Sequence, residues 1–203
     1  MAYSDFKRLT KVVEAFGLQT TRSSIFNNVK PIPPSDFLKL ALEKSRNIGF
    51  TSEKERSERL VSPILMEVIE TNNFDITIYS GHNLDADSEA GLAGECDFLM
   101  SLGQRALEVI EPPIFSIVEA KREDMDYGVA QCVAQLIGVQ IYNKKRNIEF
   151  PHLYGCSTDG LQWRFFKLEG KIIHLDTKTY LLSEVDNLLG IFNFAYNDCK
   201  KFL

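Results

Sequence analysis

The sequence predicts an α/β protein with a mixed central β-sheet flanked by helices. Short runs rich in β-branched and aromatic residues are bounded by turn residues, which is typical of strands. Longer stretches repeat their apolar residues every three or four positions, which is typical of helices. Along the 203 residues these patterns follow one another as helix, strands, helix and strands. That order predicts helices packed against a mixed sheet.

The first 50 residues are predicted to form an N-terminal helical appendage to a domain spanning residues 51–203. A helix over 4–16 ends at a glycine, and a second short helix runs over 35–44 behind a serine cap. The segment 17–34 contains three prolines and is predicted to be a loop. No residue of the appendage is assigned a chemical role.

The stretch 51–70 has the apolar face of a longer helix, with Thr51 or Ser52 as its cap. Pro63 lies inside this stretch and is expected to kink or break the helix, because proline cannot donate a backbone hydrogen bond. Glu58 is placed at the margin of the buried face by its spacing from the apolar residues.

The remaining elements follow from the same two periodicities. A second helix begins at about residue 125 behind a cap-like segment at 122–124, and a third closes the chain. An acidic loop separates the first two strands, and 107–110 extends the hairpin between the second and third. Strands are expected over 72–80, 95–102, 114–120, 152–157, 161–168 and 171–176, helices over 125–143 and 180–202, and the acidic loop over 81–94.

Two of the predicted strands carry charged residues that are suited to metal chemistry. The strand over 114–120 leads into Glu119 and Lys121, which project from the same face of an extended chain. Asp97 lies near the start of the strand over 95–102. An oxygen-ligated divalent cation with a nearby lysine needs such an arrangement, whereas apolar packing does not. A surface ion pair between Glu119 and Lys121 is the structural alternative.

Asp97 together with Glu119, Ala120 and Lys121 resembles the motif of the PD-(D/E)xK nuclease superfamily. That superfamily has the restriction-endonuclease-like fold and includes the N-terminal nuclease regions of type I restriction subunits. The resemblance covers residues 53–168, with a helix before the strands and a glutamine-containing helix after them. It implies a restriction-endonuclease-like mixed central sheet and a Mg²⁺-dependent deoxyribonuclease of the restriction or repair type.

The resemblance also implies roles for the motif residues. Asp97, Glu119 and the backbone carbonyl of Ala120 would bind Mg²⁺, with Mn²⁺ as an alternative cofactor. Lys121 would orient or deprotonate the attacking water and offset charge on the phosphate. In the superfamily the preceding helix often brings a glutamate to the metal, which implies Glu58, with Glu55 as the second choice.

Two glutamines of the helix over 125–143 complete the expected site. Gln131 and Gln135 lie one helical turn apart, and the superfamily often places a glutamine of this helix near the scissile phosphate. Simple exposure of both side chains is the alternative. Gly128 and Gly138 are expected to let this helix approach its neighbours closely.

Composition narrows the class of protein. With 44% hydrophobic and 25% charged residues the chain is typical of a globular protein, and its sequence shows no run long enough to span a membrane. The four cysteines form no C-x-x-C pair, which argues against a zinc site and fits buried thiols in the cytoplasm. A formal net charge of −5 argues against a non-specific nucleic-acid coat protein but leaves room for a nuclease with a local basic rim.

Three functions therefore compete. The leading one is a metal-dependent phosphodiesterase that cleaves DNA, and the alternatives are a catalytically inactive nuclease-fold protein that binds nucleic acid and an assembly subunit. The apolar stretch Leu188–Phe192 either packs in the core or forms a homodimer contact. The chain has no phosphate-binding P-loop, so any motor, like any specificity subunit, would be a separate chain.

Overall fold

A computed structural model describes residues 2–103, 109–121 and 125–203. They form a seven-stranded mixed β-sheet with helices on both faces, which confirms the α/β class. The strand order across the sheet is β1-β7-β6-β5-β4-β3-β2. The strands are β1 (Gln19–Ser23), β2 (Ile76–Asn83), β3 (Glu95–Leu102), β4 (Ile114–Ala120), β5 (His152–Thr158), β6 (Gln162–Glu169) and β7 (Ile172–Leu181).

Most helices lie close to the positions that periodicity predicts, but the helices predicted over 4–16 and 180–202 begin five residues later, at Leu9 and Val185. Ser35 caps the second helix through a hydrogen bond from the Leu38 N–H, and Gly17 ends the first with a positive φ of 61°. Short 3-10 turns lie at Tyr3–Asp5 and Leu182–Glu184. The α-helices are α1 (Leu9–Phe16), α2 (Asp36–Ile48), α3 (Glu53–Arg56), α4 (Ser62–Thr71), α5 (Met125–Lys144) and α6 (Val185–Lys200).

Strand β4 lies in the interior of the sheet, antiparallel to β3 and parallel to β5. All seven of its residues are buried, because helices cover both faces of the sheet at this point. The crossover from β4 to β5 runs through α5, which packs against both strands. Such a parallel connection requires a helix, and it explains the long stretch between the two strands.

Two apolar clusters lie on the two faces of the sheet. One includes Val133 and Leu136 of α5 together with Ile117 of β4. The other includes Leu65 of α4 and Leu188 of α6, and it also takes in side chains from α2. The stretch Leu188–Phe192 is buried in this second cluster, so it packs in the core of the chain itself.

The N-terminal 50 residues are not helical throughout. The prediction of a loop over 17–34 is wrong at β1, which forms an edge of the sheet and pairs in parallel with β7. Sequence periodicity misses β1 because its five residues, QTTRS, are mostly exposed and have no apolar face. Side chains of the first 50 residues also enter both apolar clusters, as Tyr3 and Leu38 show.

The predicted helix over 51–70 forms one uninterrupted helical run, but its hydrogen-bonding pattern changes along the run. A π-helical segment, Ser57–Val61, separates α3 from α4, and Pro63 lies in the first turn of α4. A proline in the first turn of a helix lacks only a donor that would have no helical partner. The wider π turn therefore accommodates Pro63 where a kink was expected.

The other predicted boundaries shift by a few residues. Strand β2 continues to Asn83, which shortens the predicted acidic loop, and β7 extends five residues beyond the predicted end. The predicted segment at 122–124 lies outside the described residues, as does the first half of the segment at 107–110, and Val109 and Ile110 are not in a strand. Among the residues described, no helix has the length and apolar character required to cross a membrane.

Candidate functional site

The candidate site forms where β3 and β4 lie side by side. The antiparallel register pairs Phe98 with Val118, so Asp97 lies beside the polar end of β4. The Ala120 N–H donates a hydrogen bond of 2.7 Å to Asp97 Oδ2. This bond fixes the Asp97 carboxylate against the strand that carries Glu119, 22 positions away in the sequence.

Lys121 brings the two carboxylates together. Its Nζ lies 2.9 Å from Glu119 Oε1, 4.0 Å from Asp97 Oδ2 and 3.6 Å from Glu53 Oε1. Its backbone N–H donates to the Thr158 carbonyl at the end of β5. Contacts of both its backbone and its side chain therefore hold Lys121 in position.

Helix α5 closes the site on one side. Gln135 Nε2 donates a 2.9 Å hydrogen bond to Glu119 Oε2, and both side chains are fully buried. Gly128 allows this approach, because a Cβ at that position would overlap Ser157 Oγ and press on Lys121 Cγ at 3.1 Å. The Oε1 atoms of Gln131 and Gln135 are buried without a hydrogen-bond partner in the described part of the chain.

The electrostatics of the cluster are set by burial and by the two carboxylates. Burial and the neighbouring charge of Asp97 raise the pKa of Glu119 to about 7, although Lys121 and Gln135 act to lower it. Burial also raises the pKa of Asp97, against the lowering effect of Lys121. Burial alone would lower the pKa of Lys121, but Glu119 and Asp97 outweigh it and raise that pKa above its usual value.

The structure does not bring Glu58 to this cluster. Its side chain is 61% exposed and forms an ion pair with Lys54, at 3.8 Å. Glu55 accepts hydrogen bonds from the backbone at Thr51 and Ser52 and caps the helix instead. Within this helical segment, the glutamate that approaches Lys121 is Glu53, in the first turn of α3.

Helix geometry explains why Glu53, and not Glu58, lies near Lys121. Glu53 and Glu58 are five positions apart, so on a regular helix their side chains diverge by about 140°. The helix begins beside the ends of β4 and β5, where Arg56 contacts Asp159, and Glu53 therefore faces Lys121. The S-x-x-E capping pattern of Ser52 and Glu55 could have located the first turn, and with it Glu53, from the sequence alone.

A cavity of about 220 Å³ opens beside the cluster. Asp97, Lys121 and Gln131 line it, and the N-terminal segment and Tyr127 form the opposite wall. The Tyr127 hydroxyl donates to the Ser4 carbonyl, and its ring lies 6.0 Å from Lys121 Nζ. The contribution of the N-terminal segment to this wall has no signal in the sequence, because it depends on long-range packing.

The donor set of the cluster is compatible with a hard divalent cation. Asp97 and Glu119 offer carboxylate oxygens, and the Ala120 carbonyl is the third proposed ligand. Across residues 2–103, 109–121 and 125–203, no group of three or more His, Cys, Asp or Glu side chains could hold an ion. Mg²⁺ needs only one or two protein carboxylates, since it keeps several waters and takes substrate phosphates. Two carboxylates and a carbonyl therefore fit an oxygen-ligated ion such as Mg²⁺.

Comparison with known proteins adds no assignment. No family model matches the sequence. No curated protein matches it either.

Proposed function

We propose that the chain is a metal-dependent phosphodiesterase that cleaves DNA and has a restriction-endonuclease-like fold. One observation carries the proposal: Lys121 Nζ contacts both the Glu119 and the Asp97 carboxylates, and Asp97 is bonded to the N–H of Ala120. Two strands and a helix are thus combined around one charged cluster. A surface ion pair would need neither the buried carboxylate nor the glutamine that holds it.

Asp97, Glu119 and the Ala120 carbonyl are the proposed ligands of Mg²⁺, with Mn²⁺ as an alternative. When bound, such an ion polarises the scissile phosphate and lowers the pKa of a bound water. Gln135 holds the Glu119 carboxylate in one orientation through its 2.9 Å hydrogen bond. Burial of Glu119 excludes bulk water from this side of the site.

Lys121 acts as a hydrogen-bond donor rather than as a base in this proposal. The neighbouring carboxylates raise the pKa of Lys121, so the amine keeps its proton at neutral pH. A protonated lysine beside the reacting phosphate stabilises negative charge and orients a water. The sequence left two roles open for Lys121, orienting the attacking water or deprotonating it. This proposal keeps only the first.

The test is incubation of the purified protein with plasmid and linear DNA in Mg²⁺ or Mn²⁺. We expect the wild type to cleave in the presence of either ion, and Asp97→Ala and Lys121→Met to be at least about 100-fold slower, since the first removes a proposed metal ligand and the second removes the cation beside the reacting phosphate. Circular dichroism should show that Lys121→Met keeps the fold. Agarose gels of plasmid would separate nicking from digestion at ends.

Two controls make the outcome decisive. Glu58→Gln changes an exposed carboxylate outside the cluster, so it should cleave like the wild type. EDTA should stop all cleavage. If wild type, Asp97→Ala and Lys121→Met degrade DNA at the same rate, the activity belongs to a contaminant and the proposal is wrong.

A second candidate function is a nuclease-fold subunit that binds nucleic acid or assembles without cleaving. The observation in its favour is the Lys121 to Glu119 contact, which satisfies both charges within the protein. Titration calorimetry with Mn²⁺ separates the two: the cleaving enzyme should bind the ion and lose binding in Asp97→Ala, whereas a closed ion pair should bind none.

The cellular setting is part of the proposal. The four cysteines are all free and buried, which supports a reducing compartment such as the cytoplasm. DNA is proposed over RNA by analogy with the superfamily. A motor or specificity subunit, if the reaction uses one, would be a separate chain, and a homodimer would need a surface other than the buried stretch Leu188–Phe192.

A further inference from the structure

A wide cleft lies on the face of the sheet that α5 covers. Its volume is about 830 Å³, which makes it larger than the cavity beside Asp97. Residues of β6, β7 and β1 form its floor, and the starts of α1 and α5 form its sides. The basic residues among those lining it are Lys7, Arg8, Arg22 and Arg164.

These cations are available to a ligand. Lys7, Arg8 and Arg22 are exposed, and none of their side chains has a hydrogen bond or ion pair to another described residue. Arg164 pairs with Asp126 at 2.6 Å, but the Asp126 side chain is 90% exposed. An ion pair this open to water contributes little, so Arg164 can exchange Asp126 for another anion.

The acidic residues of the cleft do not cancel this charge. Asp126 and Asp176 are its two carboxylates, against four cations. Asp176 already accepts hydrogen bonds from the Lys178 N–H and the Tyr180 hydroxyl. The cleft is thus locally basic in a chain whose formal net charge is −5.

The cleft continues from the candidate site. Glu119 pairs with Ser157, which pairs with Arg164, so the three share one face of the sheet. Arg164 is two strands from Glu119, a separation of about 10 Å. The first turns of α5 line both spaces, since Asp126 borders the cleft and Tyr127 borders the cavity.

We propose that this cleft, with Lys7, Arg8 and Arg22 as its phosphate contacts, binds the sugar-phosphate backbone of the DNA that enters the candidate site. The separation of about 10 Å between Glu119 and Arg164 corresponds to roughly three base pairs of rise along a duplex axis, where each strand carries one phosphate per 3.4 Å. A polynucleotide backbone would therefore present successive anions to these cations while one phosphate lies at Lys121. The inference rests on the proposed function, and it gives the N-terminal residues a role in substrate binding.

The contacts proposed are to phosphate, so they would position the DNA without reading its sequence. Arginine and lysine side chains in an open cleft suit this role, because binding releases condensed counterions and depends steeply on salt. An acidic protein is the alternative ligand of a basic cleft. It lacks the regular array of phosphates and condensed counterions of DNA, so its binding would not follow this salt dependence.

The test is fluorescence anisotropy with a labelled DNA duplex of about 20 base pairs, long enough to cover site and cleft. It compares the wild type, the triple variant Lys7→Gln/Arg8→Gln/Arg22→Gln and a control triple variant, Lys30→Gln/Lys44→Gln/Arg46→Gln. The control positions are exposed, without a described ion pair, and do not line the cleft. Both variants lower the formal net charge equally, and binding is measured in EDTA so that no cleavage occurs.

We expect the cleft variant to bind at least about tenfold more weakly at about 100 mM NaCl, and its slope of log Kd against log salt to fall by about 2 to 3. The control variant should bind like the wild type. Equal weakening by both variants would show that only net charge matters and would overturn the inference. Thermal melts that match the wild type exclude unfolding as the cause.

Cleavage assays separate this inference from the proposed function. If the cleft variant binds and cleaves like the wild type while Lys121→Met is inactive, the inference is wrong and the function stands. If DNA binds through the cleft but is never cleaved, the inference stands and the nuclease proposal fails. A wild type that does not bind DNA overturns both.

Discussion

At the scale of single residues, the candidate site depends on a buried carboxylate that the protein holds in place. Glu119 is fully buried, and its two oxygens face Lys121 on one side and Gln135 on the other. Burying a carboxylate costs free energy unless it is paired and hydrogen-bonded. Lys121 contacts only one oxygen of the Glu119 carboxylate. The other oxygen depends on the hydrogen bond from Gln135, although that side chain carries no charge.

Replacing Gln135 tests this dependence. Gln135→Leu should lower the free energy of unfolding by about 1–3 kcal/mol at about pH 8.5, where Glu119 is ionised and would lose its buried donor. At about pH 5.5 the loss should be smaller, because the pKa of Glu119 is about 7 and its carboxyl is then protonated. Urea unfolding at the two pH values measures both effects.

Gln140→Leu is the matched control on the same helix. Gln140 donates one long, exposed hydrogen bond to the Gly170 carbonyl, so its loss should change stability by less than about 0.5 kcal/mol. Equal losses in the two variants, or a Gln135→Leu loss that does not depend on pH, would show that Glu119 gains nothing from Gln135.

Substitutions at Glu53 and Glu58, in the helical segment before the strands, should differ in their effect on cleavage. Glu53→Gln removes a carboxylate 3.6 Å from Lys121 Nζ, and because this contact is half exposed we expect cleavage to slow by about five- to tenfold. Glu58→Gln should stay within about twofold of the wild type, since its pair is with Lys54. Single-turnover rates on plasmid DNA compare them, and the assignment of Glu53 to the site fails if neither rate changes.

At the scale of elements, the start of α3 decides which glutamate faces the site. Ser52 and Glu55 form a capping box, and Glu55 also accepts hydrogen bonds from Thr51. These bonds fix where the helix begins. The π-helical segment Ser57–Val61 then changes the rotation of everything after it.

The cap that Glu55 forms should make the stability of the fold depend on pH. Hydrogen bonds from the backbone and side chain of Thr51 lower the pKa of Glu55 from 4.5 to about 2 in the folded protein. A carboxyl with a depressed folded-state pKa stabilises the fold above its unfolded pKa, and the contribution disappears as the pH falls toward the folded value. Stability from this cap should therefore be complete above about pH 4.5 and be lost between 4.5 and about 2.

Glu55→Gln tests the cap. The variant should be less stable than the wild type at neutral pH, and the difference should shrink as the pH falls from 4.5 toward 2. Glu43→Gln on α2 is the control, because the Glu43 side chain is exposed and has no hydrogen bond or ion pair to a described residue. Urea midpoints across this range give the comparison, and a constant Glu55→Gln difference would contradict the shifted pKa.

At the scale of the whole molecule, N-terminal segments pack against elements from the second half of the sequence. The N-terminal strand β1 pairs with β7, and the 3-10 turn at Tyr3–Asp5 packs on α5. The Tyr3 hydroxyl is buried without a described hydrogen-bond partner and lies against Gly138. The wall of the candidate site therefore depends on contacts between the two halves of the sequence.

A double-mutant cycle on Tyr3 and Gly138 tests that contact. A Cβ added at Gly138 would overlap the Tyr3 hydroxyl, so Gly138→Ala should cost about 1–3 kcal/mol of unfolding free energy. Tyr3→Phe removes an unpaired buried hydroxyl and should be neutral or stabilising. In the Tyr3→Phe background the cost of Gly138→Ala should fall by at least about 0.5 kcal/mol.

Urea unfolding of the four proteins measures the coupling energy. Additive effects would mean that the N-terminal segment does not pack against α5 in solution. Such a result would also remove one wall of the cavity beside Asp97.

The sequence by itself determined the α/β class and most of the elements, because apolar periodicity is a local property that burial imposes on each strand and helix. Strands β3 and β4 have the predicted bounds, and Ser35 and Gly17 mark helix ends as their residue types predict. The sequence also placed Asp97, Glu119 and Lys121 at the ends of neighbouring strands, where the structure brings them together.

Only the tertiary structure decided which other residues join them. Strand β1 has no apolar face, so its place in the sheet follows from pairing with a strand that lies some 150 positions later in the chain. Whether Glu53 or Glu58 faces Lys121 depends on helix phase, which a cap and a π turn alter by a fraction of a turn. The basic cleft likewise collects residues from distant segments, because charge at a surface site is set by long-range packing and leaves no periodic mark on the sequence.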